Sequence, residues 1–220
     1  MKQRRVSIFA GHYGSGKTNI ALNFALRLKG SGLRTAVADL DIVNPYFRTK
    51  DAFRLLSAEG IRLIASDYAG SNVDVPALPG EAYSLIDDRE QYCVIDVGGD
   101  DRGALALGRY APSIKAEDSY DFYFVVNRFR PLTADVDKAL GVLREIEAAC
   151  DMRFTAVVSN PNLGAKTTAK ELLSSVGFAA ELCDRAKLPL AFTAVTEELS
   201  EAVERQIPEV FPIKIFVTQE

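Results

Sequence analysis

The chain has 220 residues, of which 48% are hydrophobic and 25% charged, and its formal net charge is −4. That length and apolar content can bury a full core, which excludes a disordered chain, and the acidic balance gives no overall attraction to nucleic acid or anionic lipid. No window holds 18 consecutive apolar residues and the KQRR start runs straight into a strand-like segment, so a cytoplasmic protein without a membrane span or secretion signal is expected.

In chain order, the first strand signal is the apolar run at residues 5–10. It leads into GHYGSGKT, Gly11 to Thr18, after which Ile20, Phe24 and Leu28 form a helical stripe closed by Gly30. A second strand at 35–40 carries Asp39 and is followed directly by Asp41, and a third covers 61–65. Residues 66–79, with Gly70, Asn72, Pro76 and Pro79, read as a surface loop or lid. The strand at 92–97 contains Asp96 and runs into Gly98, Gly99 and Asp100. Further strands are expected at 122–126, 154–159, 188–194 and 212–217. Between the first two of these lies a helix striped by Val136, Leu140, Leu143 and Ile146, with Thr133 as its N-cap candidate.

Near-continuous apolar strands alternating with amphipathic helices predict a doubly wound α/β fold, a mostly parallel sheet with helices on both faces. No repeat, linker or low-complexity tract divides the chain, so one domain over residues 1–220 is expected. Cys93, Cys150 and Cys183 lie far apart without a C-x-x-C pair, and the chain has one histidine. Buried thiols are the expectation, rather than a zinc or iron–sulfur site.

GHYGSGKT satisfies G-x-x-x-x-G-K-[ST] and sits between a strand and a helix, the arrangement that wraps backbone N–H groups around a phosphate and aims a helix N-terminus at it. Gly11, Gly14 and Gly16 would permit close backbone approach, with His12, Tyr13 and Ser15 completing the loop. Lys17 would reach the β- and γ-phosphates, and the Thr18 hydroxyl would ligate Mg²⁺. Asp96, at the end of its strand beside a Gly-Gly turn, suits the role of holding the Mg²⁺ shell, and the N–H of Gly98 or Gly99 could sense a γ-phosphate. In a parallel sheet Asp39 and Asp41 would open onto the same edge as the loop.

Together GHYGSGKT, the DLDIVNPYFR segment and VIDVGGD resemble the MinD/ParA class of P-loop ATPases, grouped with CobQ and CobB nucleotide-binding domains, from Val6 to about Val195. The resemblance implies that Asp39 supports the metal site, Asp41 orients the attacking water and Asp96 serves the metal shell. It also implies a nucleotide-dependent dimer. The signature lysine of that class, second in its phosphate loop, is His12 here. His12 either replaces it as a hydrogen-bond donor or fills the loop, and Arg48, Arg102 and Arg109 are candidates to supply the missing cation.

Base preference is read where 154–159 runs into Asn160-Pro161-Asn162-Leu163. Related GTPases carry N-K-x-D there, and Leu163 cannot accept the two hydrogen bonds that an aspartate takes from guanine. ATP is therefore expected, with Asn160 either contacting adenine or acting as a turn or cap residue. The leading expectation is a slow Mg²⁺-dependent ATPase switch acting on a partner protein. In its ATP state it would present residues 44–48 and 98–102, with Tyr46 and Phe47 beside Arg48 as a candidate partner-facing patch. A small-molecule kinase or ATP-dependent synthetase, roofed by residues 66–79 and with Arg102 and Arg109 for an anionic acceptor, is the alternative; a binding module without catalysis is third. Lys214 is the one basic residue of 212–220, so the basic membrane helix of some members of the class is not expected.

Overall fold

The computed structural model describes residues 4–41, 50–65, 88–99, 101–117 and 119–216. The strands are β1 (Val6–Ala10), β2 (Thr35–Leu40), β3 (Arg62–Ala65), β4 (Tyr92–Val97), β5 (Tyr120–Val126), β6 (Ala156–Ser159), β7 (Leu190–Thr196) and β8 (Val210–Ile213). The helices are α1 (Lys17–Gly30), α2 (Lys50–Ala58), α3 (Asp101–Gly108), α4 (Ala111–Glu117), α5 (Val136–Cys150), α6 (Ala169–Ser174), α7 (Val176–Ala186) and α8 (Glu197–Val203). Among the described residues the eight strands pair in parallel in one sheet, in the order β3-β2-β4-β1-β5-β6-β7-β8. Parallel pairing puts every strand's C-terminal end on one edge, and β4 inserts beside β1 where the chain reverses direction across the sheet.

The central strands are apolar on both sides because both sides are covered. One face packs Phe9, Val37, Val94 and Val158 against Ile20, Phe24 and Leu28 of α1 and Leu56 of α2. The other packs Ile8, Ile95, Phe124 and Val157 against α3, α4, α5 and α7. Among the described residues no helix is long and apolar enough to cross a membrane.

Three local expectations need correction. The last strand is Val210–Ile213, not 212–217. Pro212 is tolerated because β8 is an edge strand, and the following backbone is captured by α1: Asn23 Oδ1 accepts from Lys214 N (2.8 Å) and Asn19 Oδ1 from Phe216 N (2.9 Å). The N-cap of α5 is Asp135, whose side chain accepts from Lys138 N at 2.9 Å. Thr133 instead donates to Asn127 O at 2.6 Å. Cys93 and Cys150 are buried free thiols, whereas Cys183 is half-buried. The loop or lid at 66–79 and the patch at 44–48 lie outside the described residues.

Candidate nucleotide-binding site

Between β1 and α1 the chain turns through two left-handed glycines, Gly14 (φ +77°) and Gly16 (φ +87°), which a side chain would strain. The turn leaves Gly16 at the N-cap of α1, so the helix N-terminus opens directly onto the loop. Four neighbours hold the loop from outside. A Cβ at Gly11 would stand 2.2 Å from Val125 O of β5, and one at Gly16 would stand 2.1 Å from Asn160 Nδ2. That nitrogen donates to Ser15 O at 2.6 Å, and Arg130 Nε donates to Gly14 O at 2.9 Å. The fourth is the turn after β4, where a Cβ at Gly99 would meet Tyr13 N at 2.6 Å and Lys17 Nζ at 2.9 Å. No residue larger than glycine fits there, because its Cβ would run into the Tyr13 backbone.

Parallel pairing aligns the acidic residues with the loop. Asp96 is in register with Phe9 on one side and Asp39 on the other, and both carboxylates share the parity of Val94 and Val37, the α1 face. Asp39 Oδ1 accepts from Asp41 N at 2.8 Å, which fixes the start of the segment beyond β2. Lys17, Asp39, Asp41 and Asp96 are all buried. Thr18 Oγ1 donates to Asp96 Oδ2 at 2.6 Å, while Asp96 Oδ1 is buried with no hydrogen-bond partner. A hydroxyl and an unmet carboxylate oxygen are hard donors of the kind Mg²⁺ takes, so these residues fit that ion. Among the described residues no group of three or more His, Cys, Asp or Glu could hold a metal unaided. Mg²⁺ commonly completes its shell with water and phosphate.

Burial pushes the Asp96 carboxyl up to about 6; Lys17 and the Thr18 hydrogen bond pull it down, and Asp41 adds to the rise. The folded state therefore holds this proton more tightly than the unfolded chain does. The resulting stability is fully present below the ordinary carboxyl range and is lost as pH rises through about 6. In metal- and nucleotide-free protein, lowering pH from 7.5 to 5 is expected to stabilise the wild type relative to Asp96→Asn by about 1 to 1.5 kcal/mol. Urea unfolding at the two pH values measures it. A difference that does not change with pH removes the assignment.

His12 Nδ1 lies 3.1 Å from Tyr13 O. A carbonyl only accepts, so Nδ1 carries the proton and a neutral His12 keeps only Nε2, an acceptor. His12 can therefore give a hydrogen bond outward only as the imidazolium. Arg130 is a cation hydrogen-bonded to the loop, through Gly14 O, and the sequence reading missed it. Arg102 is exposed at the start of α3, and Arg109 lies beyond the far end of that helix, roughly 12 Å along its axis from the Gly-Gly turn. Asn160 is neither turn nor cap: it is buried against the loop, with Nδ2 engaged and Oδ1 unpartnered. Asn127 was also missed. It closes β5, donates to Asn162 O (2.8 Å) and accepts from Phe129 N (3.0 Å), which shapes the turn that delivers Arg130.

No protein-family profile matches the chain, and no curated protein matches it. Solved structures do. The cell division protein FtsY of Thermotoga maritima superposes with a TM-score of 0.64 at 14% identity, covering 90% of this chain and 64% of that one. The fold is that of FtsY. Chloroplast FtsY from Physcomitrella patens gives 0.58 at 17% identity, with 90% and 60% covered. The signal recognition particle receptor FtsY from Elizabethkingia anophelis, solved with GDP, gives 0.56 at 16%, with 90% and 59% covered. The chain thus spans about three fifths of the length of these FtsY chains, and the likeness establishes architecture alone.

Proposed function

We propose that the chain is a Mg²⁺-dependent ATP-binding protein and slow ATPase of the MinD/ParA kind, a single nucleotide-binding domain that acts as a switch on a partner. The observation that carries this reading is the Thr18–Asp96 hydrogen bond with Asp96 Oδ1 left unmet, set beside a buried Lys17 at the end of a glycine loop. In this reading Gly11, His12, Tyr13, Gly14, Ser15, Gly16, Lys17 and Thr18 surround the phosphates, and Lys17 counters their charge. Thr18, Asp39 and Asp96 serve the metal, and Asp41 orients the attacking water. When bound, Mg²⁺ would supply charge neutralisation at the phosphates.

Two features support adenine. Leu163 offers no carboxylate where guanine recognition would need one, and its N–H is already bound by Thr167 Oγ1 at 2.8 Å. Asn160 Oδ1 is a buried acceptor without a donor, which suits an exocyclic amino group and repels a carbonyl. The partner reading draws support from three exposed apolar side chains: Tyr13, Leu132 and Leu163 are 55%, 52% and 40% exposed. Tyr13 lies in the loop, and Leu132 and Leu163 follow the residues that hold it.

Competition tests the base. With a fluorescent ATP analogue bound in Mg²⁺, unlabelled ATP is expected to displace it at least about tenfold more tightly than GTP, the cost of one unpaired buried polar group. GTP competing equally or better overturns the adenine assignment. Failure of both nucleotides to compete overturns the site.

A further inference from the structure

On the sheet face opposite α1, a cavity of about 290 Å³ opens between α7 and strands β6 and β7. Its origin lies in the sequence. The stripe that α7 turns toward the sheet, Val176, Ala179 and Cys183, is small, so the helix stands over the strands without filling the space. A register irregularity beside Val157 puts both Ala191 and Phe192 on the α1 face, leaving Leu190 and Thr193 as neighbours on the other. For scale, a dry cavity of about 150 Å³ binds benzene.

The cavity is not uniformly apolar. Ser159 and Thr193 line it, are 3% and 4% exposed, and their hydroxyls make no hydrogen bond to any described residue. Ser175 also lines it, but its hydroxyl donates to Glu171 O at 2.9 Å. Two adjacent strands thus bring one hydroxyl each to a space whose apolar wall includes Leu172, Val176, Ala179 and Leu190. A ligand able to donate and accept pairs with them there while its body covers the apolar wall. No Lys, Arg or His lines the cavity, and the acidic residue at it, Glu209, is exposed and disfavours an anion.

The cavity wall is joined to the phosphate loop by two routes. Ser159 immediately precedes Asn160, whose Nδ2 holds Ser15 O. Ser174 O, at the α6–α7 junction beside Ser175, accepts from Arg128 Nη1 at 2.6 Å, and Arg128 belongs to the turn that delivers Arg130 to Gly14 O. We propose that this cavity binds a small uncharged molecule with an apolar body and one hydroxyl, and that its occupancy is transmitted to residues 12–18. Its ligand class is a neutral alcohol or phenol of roughly ten to twelve heavy atoms, twice the benzene case by volume.

The test uses the nucleotide-free chain with 2-naphthol as probe, so its outcome is independent of the nucleotide reading. Calorimetry is expected to show saturable one-to-one binding, tighter for 2-naphthol than for naphthalene by about five- to tenfold, the worth of one hydrogen bond. Thr193→Val and Ser159→Ala each remove a hydroxyl without leaving a buried group unpaired, so both variants stay folded and reduce that preference. Ala180→Phe, at an exposed helix position on the rim, blocks the mouth and abolishes binding. At saturation, amide hydrogen exchange across residues 12–18 changes at least about threefold in the wild type and not in Ala180→Phe. Absence of saturable binding overturns the site, as does equal binding by Ala180→Phe or an undiminished hydroxyl preference in both hydroxyl variants. Unchanged exchange at residues 12–18 under full occupancy overturns the coupling.

Discussion

Lys17→Ala is expected to weaken Mg²⁺–ATP binding by about 100-fold or more while the protein remains folded. The ammonium group is buried at the start of α1, among backbone that would face the phosphates, and its loss removes a full charge that the helix N-terminus does not replace. The fold survives because the change removes a buried charge, and Asp96, whose carboxyl burial already pushes up, takes a proton once Lys17 no longer opposes it. Lys17→Arg is expected to fail as well. Lys17 Nζ lies close against Gly99, so a larger, planar guanidinium has to displace that turn or itself be displaced from the phosphates. Calorimetry with circular dichroism separates affinity from folding. ATP affinity unchanged in Lys17→Ala removes the phosphate assignment, and full function in Lys17→Arg removes the role given to Gly99.

What was legible in the sequence follows physical range. Strands buried on both faces write themselves as apolar runs, which is why β2 and β4 fall where their residues predict, and the glycine loop is a local pattern complete in itself. The meeting of Asp39 with Asp96 was also within reach, since parallel pairing brings strand ends to one edge. Contacts across more than a hundred residues were not. Arg130 reaches Gly14 across 116 positions and Asn160 reaches Ser15 across 145, and Asn127-Arg128-Phe129-Arg130 carries no periodicity to distinguish a loop clamp from a solvated turn. Arg102 and Arg109 stood out as candidates by proximity to the Gly-Gly turn in sequence, yet helix α3 carries Arg109 away from it. The end of β8 was misplaced because residues 213–217, apolar except for Lys214, read as strand. Two asparagines of α1, distant in sequence, satisfy that backbone instead.

Asp41→Asn and Asp96→Ala are expected to fail differently. Asp41 follows β2 directly, and its backbone is fixed by the bond from its N–H to Asp39 Oδ1, so its side chain is placed without itself holding the Thr18 hydroxyl. If it orients water, the amide variant keeps the shape and loses the acceptor strength, and turnover falls about 100-fold or more with ATP affinity nearly unchanged. Asp96 is different because Thr18 Oγ1 depends on it. Asp96→Ala leaves that hydroxyl unpaired and removes the unmet oxygen, so ATP affinity and its Mg²⁺ dependence fall together. The slow variant also exposes the assembly step. Two phosphate loops facing each other would bring triphosphates together, and without a lysine at position 12 another cation has to offset the charge; Arg130, held on Gly14 O, joins Arg48 and Arg102 as a candidate. Light scattering of Asp41→Asn across a concentration series with ATP and Mg²⁺ is expected to show a weak dimer absent with ADP. Single-turnover assays and calorimetry on both variants supply the other half. Equal losses of binding in the two would remove the water-positioning role of Asp41. A strictly monomeric protein that passes phosphate to a metabolite would replace the switch with a kinase.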